Sequence, residues 1–219
     1  PKDGPPKSSR LPSGWPSPTA TSTPHSPGGF RMPSVIGSTC ATTRGRWPSP
    51  AARAAAVWTL KNLSPENGDY IRALPRGPVG IDGFHLFHGS PYDEDEYMIA
   101  ASEATEAFGY MESRLAFFGH THVQGGFIWN QSRVETILRT PMDEASQSME
   151  IDAECAYMLN PGSVGQPRDG DPRAGYVVYD CDLRRVTYHR VKYDISGGQK
   201  KIRAAGFPPI LGDRLSVGR

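Results

Sequence analysis

The stretch Leu115-Ala-Phe-Phe-Gly-His-Thr-His-Val123 constrains this chain more than any other. Its mostly apolar first residues read as a buried strand. Gly119 then lets the backbone turn, and two histidines follow one residue apart. A strand that carries a histidine pair off its end holds imidazoles on a rigid edge, and neutral imidazole is the commonest protein metal ligand. Two loop histidines without a role would look the same in isolation, so the pair has to be read with its surroundings.

Two other stretches have the same form. Phe84-His-Leu-Phe-His-Gly-Ser-Pro91 is an apolar strand ending in His88, with Gly89, Ser90 and Pro91 to turn the chain. Tyr157-Met-Leu-Asn-Pro-Gly-Ser-Val-Gly-Gln-Pro-Arg-Asp169 is again a strand running into a polar loop. Three such strand ends predict one shared functional edge.

The segments HGSP, GHTH and NPGSVGQPRD, in that order, resemble the calcineurin-like metallophosphoesterases, and within them the small single-domain bacterial and archaeal phosphodiesterase-like branch. The likeness runs from about Ala51 to Arg219. It implies an α+β fold, a four-layer αββα sandwich, and a hydrolase that uses two divalent ions. On the matching positions His88 and His120 would hold one metal and His122 the other, and all three would serve catalysis. Arg168, Asn160 and Ser163 are the substrate-binding candidates. For Arg168 a phosphate contact is the stronger reading. For Asn160 and Ser163 turn chemistry is the stronger one, since Asn-Pro-Gly-Ser makes a turn on its own merits.

Two divalent ions held close together need carboxylates, one of them bridging, to offset their repulsion. The family supplies these from its first half, as Asp-X-His, Gly-Asp and Gly-Asn-His-Asp/Glu motifs. None of them occurs in residues 1–50, ahead of the recognisable segments. Residues 1–50 hold 11 of the 21 prolines, 9 serines, 6 threonines, six basic residues and one acid, Asp3, with no Asn or Gln. That composition predicts a disordered tail, and the N-terminal strand–helix portion of the sandwich is then missing or replaced. It is also what a GC-rich gene yields when read in the wrong frame. With the first two bases dropped, the codons of Pro18–Ser22 can spell Asp-Gly-Asp-Val. Those of Thr39–Arg44 can spell Val-Arg-Asn-His-Ala, although the Gly before Asn-His is not recovered.

Three functional readings follow. The first is a family enzyme whose N-terminal sequence is shifted or lost. The second is a catalytically dead relative that binds or scaffolds. The third is a one-metal site of His88, His120 and His122, since three imidazoles can hold zinc with a water in the fourth position. The substrate implied is a small phosphomonoester or phosphodiester. The ions implied are two of Mn, Fe, Zn, Ni or Mg, held weakly or in part in this chain.

Composition narrows the setting. A net charge of +1 with 21% charged residues argues against a nucleic-acid binder driven by phosphate contacts. Cys40, Cys155 and Cys181 show neither metal nor redox spacing, which suits a reducing cytoplasm. No apolar run of about 18 residues predicts a membrane span. The sequence opens on Pro1 rather than Met, which leaves room for residues ahead of it.

Element by element, helices are expected over 51–63, 65–74, 98–110 and 196–205, with a short one near 210–215. Strands are expected at 79–81, 84–87, 114–118, 124–130, 133–139, 175–179 and 185–193. Asp82-Gly83 makes a hairpin turn. The acidic run Asp93-Glu-Asp-Glu-Tyr97 reads as the first turn of the third helix, favoured by the helix dipole, ahead of a metal-binding cluster. Residues 143–151 read as a mobile insertion. His85 and His189 read as packed or surface histidines.

Overall fold

A computed structural model describes residues 49–219. The expectation for residues 1–50, with Cys40 and His25, therefore lies outside the described residues apart from Ser49 and Pro50.

The first helix, α1 (Pro50–Asn62), starts where Ser49 accepts a hydrogen bond from the Ala52 amide and Pro50 occupies the first turn. The second, α2 (Pro65–Ala73), repeats the device with Ser64 accepting from Asn67. Helix α1 buries none of its residues, and Leu60 is 68% exposed. Its Trp58 ring lies 5.2 Å from the ring of Phe207.

Strands β1 (Val79–Ile81) and β2 (Phe84–Leu86) form the expected hairpin, with Asp82 and Gly83 both at positive φ. Helix α3 (Ala101–Phe108) is shorter than expected. The acidic run before it is loop rather than a first helical turn, which corrects the sequence reading. The helix starts later because the Glu103 carboxylate accepts the Ile99 and Ala100 amides and closes the N-terminus there.

The remaining strands are β3 (Leu115–Phe117), β4 (Gln124–Trp129), β5 (Val134–Ile137), β6 (Ser146–Glu150), β7 (Ala156–Pro161), β8 (Ala174–Asp180) and β9 (Arg185–Val191). They build a six-stranded sheet in the order β1-β2-β3-β7-β4-β5 and a three-stranded sheet in the order β6-β9-β8. Strand β6 occupies the segment expected to be a mobile insertion. It is polar because it is an edge strand with one face outward. Its Met149 packs inward, and the strand pairs with β9 through five residue pairs.

Alternation along the strands puts a core on each face of the larger sheet. Ala116 and Phe118 around β3, Ala156 and Met158 on β7, and Phe127 and Trp129 on β4 face α3 through Ala104, Ala107 and Phe108. Leu115, Tyr157 and Leu159 face the smaller sheet, where Val186 and Tyr188 meet them. A helix, a sheet and a second sheet are thus stacked as an α+β sandwich. The outer face of the smaller sheet carries exposed Tyr176, Val178 and Val191, with Tyr176 stacked on His189. A helix α4 (Ile195–Ala204), a short α5 (Ile210–Asp213) and a 3-10 turn (Arg214–Ser216) complete the chain. No helix among the described residues is long and apolar enough to cross a membrane.

Candidate functional site

Strands β2, β3 and β7 are neighbours and run parallel, so their C-terminal ends share one edge of the sheet. The HGSP, GHTH and NPGSVGQPRD loops leave from those ends, as in open sheets that bind ligands beyond the carboxyl ends of their strands. Backbone hydrogen bonds fix the loops to each other. The Gly119 amide donates to the His88 carbonyl at 2.9 Å, and the Arg168 amide donates to the His122 carbonyl at 3.0 Å. His120 and His122 both sit at φ 60, so the turn runs through left-handed backbone that non-glycine residues seldom adopt.

Asn160 holds that strained turn in place. Its amide donates to the Gly119 carbonyl at 2.8 Å and to Thr121 Oγ1 at 3.0 Å, while its own oxygen accepts from the Gly162 amide at 2.9 Å. It is 1% exposed. Ser163 accepts from the amides of Gly165 and Gln166 within its own loop. Both side chains spend their polar atoms on the loops.

The histidines come together only in part. His120 Nδ1 lies 3.0 Å from His88 Nε2, and the two rings meet edge to face at 4.8 Å. The ring of Tyr97 covers His120 at 4.1 Å. The Nε2 atom of His120 is buried without a hydrogen-bond partner among the described residues. His122 Nδ1 donates to the Gln166 carbonyl at 2.8 Å, which fixes the proton there and leaves Nε2 with its lone pair.

Burial, foremost, holds all three imidazoles below the ordinary histidine range. For His120 the neighbouring His88 and Arg168 lower it further, against Asp95. For His122 the Gln166 carbonyl opposes the effect, and Arg168, His88 and Arg214 add to it. Neutral imidazole is the form that ligates a metal.

Arg168 lies beside this turn. Its Nε and Nη2 donate to Gln166 Oε1, and Nη1 reaches the Tyr97 hydroxyl at 3.5 Å. Arg214 joins it from the far end of the chain. Burial, then the like charge of Arg168, lowers Arg214 from its ordinary value. Two guanidiniums next to a neutral histidine form a locus for an anion.

Tyr97, Gln166 and Arg214 were missed from sequence. Gln166 lies within a motif already singled out. Tyr97 and Arg214 have no local pattern, because separate elements bring them in. The acidic run also lies closer than its sequence position suggests, since Asp95 and Glu94 act electrostatically on His88.

Below the loops is a buried charge network. Arg190, its side chain 0% exposed, pairs with Asp169 at 3% and approaches Asp171 at 3.8 Å. Arg190 Nε also donates to Gln124 Oε1 at 3.0 Å, and the Gln124 amide donates to Asp169 Oδ2 at 3.0 Å. This network ties the loop carrying Arg168 to β4 and β9.

A metallophosphoesterase from Sphaerobacter thermophilus superposes on this chain with a TM-score of 0.67 at 37% identity, over 80% of this chain and 72% of that one. The chain belongs to the metallophosphoesterase family. An uncharacterised protein of Methanocaldococcus jannaschii, MJ0912, is 30% identical over 176 residues, or 75% of this chain. The chain spans 65% of the length of that curated relative. A hypothetical protein from Pyrococcus horikoshii OT3, PH1004, shares the fold at a TM-score of 0.59 and 18% identity, over 79% of this chain and 62% of that one. No family model matches the sequence.

Metallophosphoesterases generally use divalent metals, and the donors present here fit such a centre only in part. The orphaned, buried Nε2 of His120 and the free lone pair of His122 suit an ion. Among the described residues, however, no three His, Cys, Asp or Glu side chains converge on one point. That also counts against a one-metal site of His88, His120 and His122. The donor set does not fit a complete two-metal centre.

Proposed function

We propose that this chain is a phosphoester hydrolase by lineage that binds a small phosphomonoester or phosphodiester, with the two-metal hydrolytic step impaired in this sequence. The observation that supports the reading is the grouping of His88, His120 and His122, all neutral, at one sheet edge beside Arg168 and Arg214. The guanidiniums would take the phosphoryl oxygens as charge-assisted, paired hydrogen bonds. Tyr97 and Gln166 orient Arg168. The imidazoles would hold divalent ions, whose role when bound is to polarise the phosphoryl group and supply a nucleophile. Without the carboxylates that offset two positive charges, occupancy is low.

Manganese loading followed by elemental analysis, with turnover of bis(4-nitrophenyl) phosphate and calorimetry of inorganic phosphate, tests this reading. Sub-stoichiometric metal, turnover near background and measurable phosphate affinity that drops in Arg168→Ala are expected. Two tightly held ions per chain with efficient turnover would overturn the impairment. Absence of any phosphate affinity would overturn the phosphoester reading. The same missing carboxylates favour a second reading, a catalytically dead binding or scaffold protein. That reading requires turnover at background even with saturating metal.

A further inference from the structure

A cavity of about 480 Å³ opens beside the histidine turn, with Thr121 and Arg168 on its near side. Its volume is in the ~300–1,000 Å³ range of small-molecule clefts. Met98, Phe118, Phe127, Ile137 and Leu138 make most of its wall apolar. The polar groups that line it are largely committed elsewhere. Asn160 and Thr121 bond each other, and Asp169 takes Arg190 and the Gln124 amide. Two guanidiniums have no carboxylate partner among the described residues, Arg168 at the near side, bonded to the neutral Gln166 and Tyr97, and Arg139 just beyond β5.

Arg139 is half-buried, and among the described residues its side chain makes one hydrogen bond, to the Thr140 carbonyl at 3.4 Å. No carboxylate pairs with it among the described residues. An uncharged apolar ligand filling this cavity would strip water from a lone cation, which is costly. A ligand that carries an anion on its apolar body would pair with it instead.

We propose that the cavity receives the organic part of the phosphoester, an apolar group bearing a second anion, and that Arg139 pairs with that anion. Arg139 is then the residue that sets substrate class, with the phosphoryl group at Arg168 as in the reading above. The ligand class is a phosphoester of an apolar group, aryl esters among them, with a carboxylate or further phosphate on its far side.

Non-hydrolysable probes test this on the full chain by calorimetry: benzylphosphonate, 4-carboxybenzylphosphonate, inorganic phosphate and 4-methylbenzoate. The carboxylated phosphonate should bind about tenfold tighter than benzylphosphonate, as a charge-assisted pair requires. That ratio should fall to about one in Arg139→Ala and recover in part in Arg139→Lys, with thermal melts confirming that both variants fold. A ratio near one in the unaltered chain, or one that survives Arg139→Ala, overturns the assignment while phosphate binding upholds the phosphoester reading. Binding of 4-methylbenzoate but not phosphate, lost in Arg139→Ala, would support the cavity and sink the phosphoester reading. Failure of all four probes to bind would overturn both.

Discussion

Replacing Arg190 by methionine puts the buried network to the test. The substitution keeps an unbranched apolar stem and removes the guanidinium with its charge and its donors. Asp169 then loses its ion-pair partner and retains two backbone amides, of Gln124 at 3.0 Å and Asp171 at 3.3 Å, and Gln124 Oε1 keeps the Thr140 amide at 3.2 Å. Asp171 keeps its hydrogen bonds from Arg173. The uncompensated charge is chiefly that of Asp169, 3% exposed. Breaking a buried pair by removing one partner costs about 3–5 kcal/mol, a large share of the ~5–15 kcal/mol that holds a domain folded. At about 2–4 °C per kcal/mol for a chain of this size, the melting temperature should fall by roughly 6–20 °C. The double variant Arg190→Met with Asp169→Asn should recover at least half of that loss. Asparagine can still accept from Gln124 and leaves no buried charge behind. Circular dichroism melts of the parent, both single variants and the double variant give the comparison. A fall of less than about 2 °C for Arg190→Met, or a double variant no better than the single, would refute the reasoning and show that the loop is held by its backbone bonds.

Stability should also depend on acid through Asp171, whose side chain is 1% exposed. Burial raises its carboxyl, but the hydrogen bonds from Arg173 outweigh that, with Arg190 adding, and its net position is below the ordinary value of 3.8. A carboxyl depressed on folding adds stability above its unfolded value and loses it as pH falls through the folded one. The melting-temperature gap between parent and Asp171→Asn should thus be full at pH 6 and close only below about pH 4; a gap that is the same at pH 3 would contradict this. Gly126 sits at φ 143, and a Cβ there would run into the Met158 carbonyl oxygen of β7. Gly126→Ala should cost about 3 kcal/mol or more, against about 1 kcal/mol for Gly83→Ala at an open turn; equal urea midpoints would rule this out. Resequencing the gene from the codons of Pro1 to Ala54 should show an intact alternative frame carrying Asp-X-His, Gly-Asp and Asn-His, with the shift between about Gly45 and Ala54. Stops in that frame, or none of the three motifs, would leave the degenerate reading.

What could be read from sequence was what is local along the chain. The strand ends at His88, His120 and Asn160 were legible because each is a short apolar run closed by Gly or Pro, and the parallel pairing of β2, β3 and β7 places them on one edge. Strand β6 escaped because it is a five-residue edge strand facing water, with Met149 as the one side chain in it that turns inward. The Arg190–Asp169 pair, 21 residues apart, and Arg214 beside Arg168 escaped because only the folded sheets bring them together. This division bears on the missing carboxylates. His88, His120 and His122 are placed by the bonds of Gly119 to His88, Asn160 to Gly119 and Arg168 to His122, all within the second half of the domain. None of those bonds needs a carboxylate or an ion, so the sheet edge itself positions the three imidazoles. Under the function proposed above, what the first half of the family domain would add is the charge compensation that two ions need.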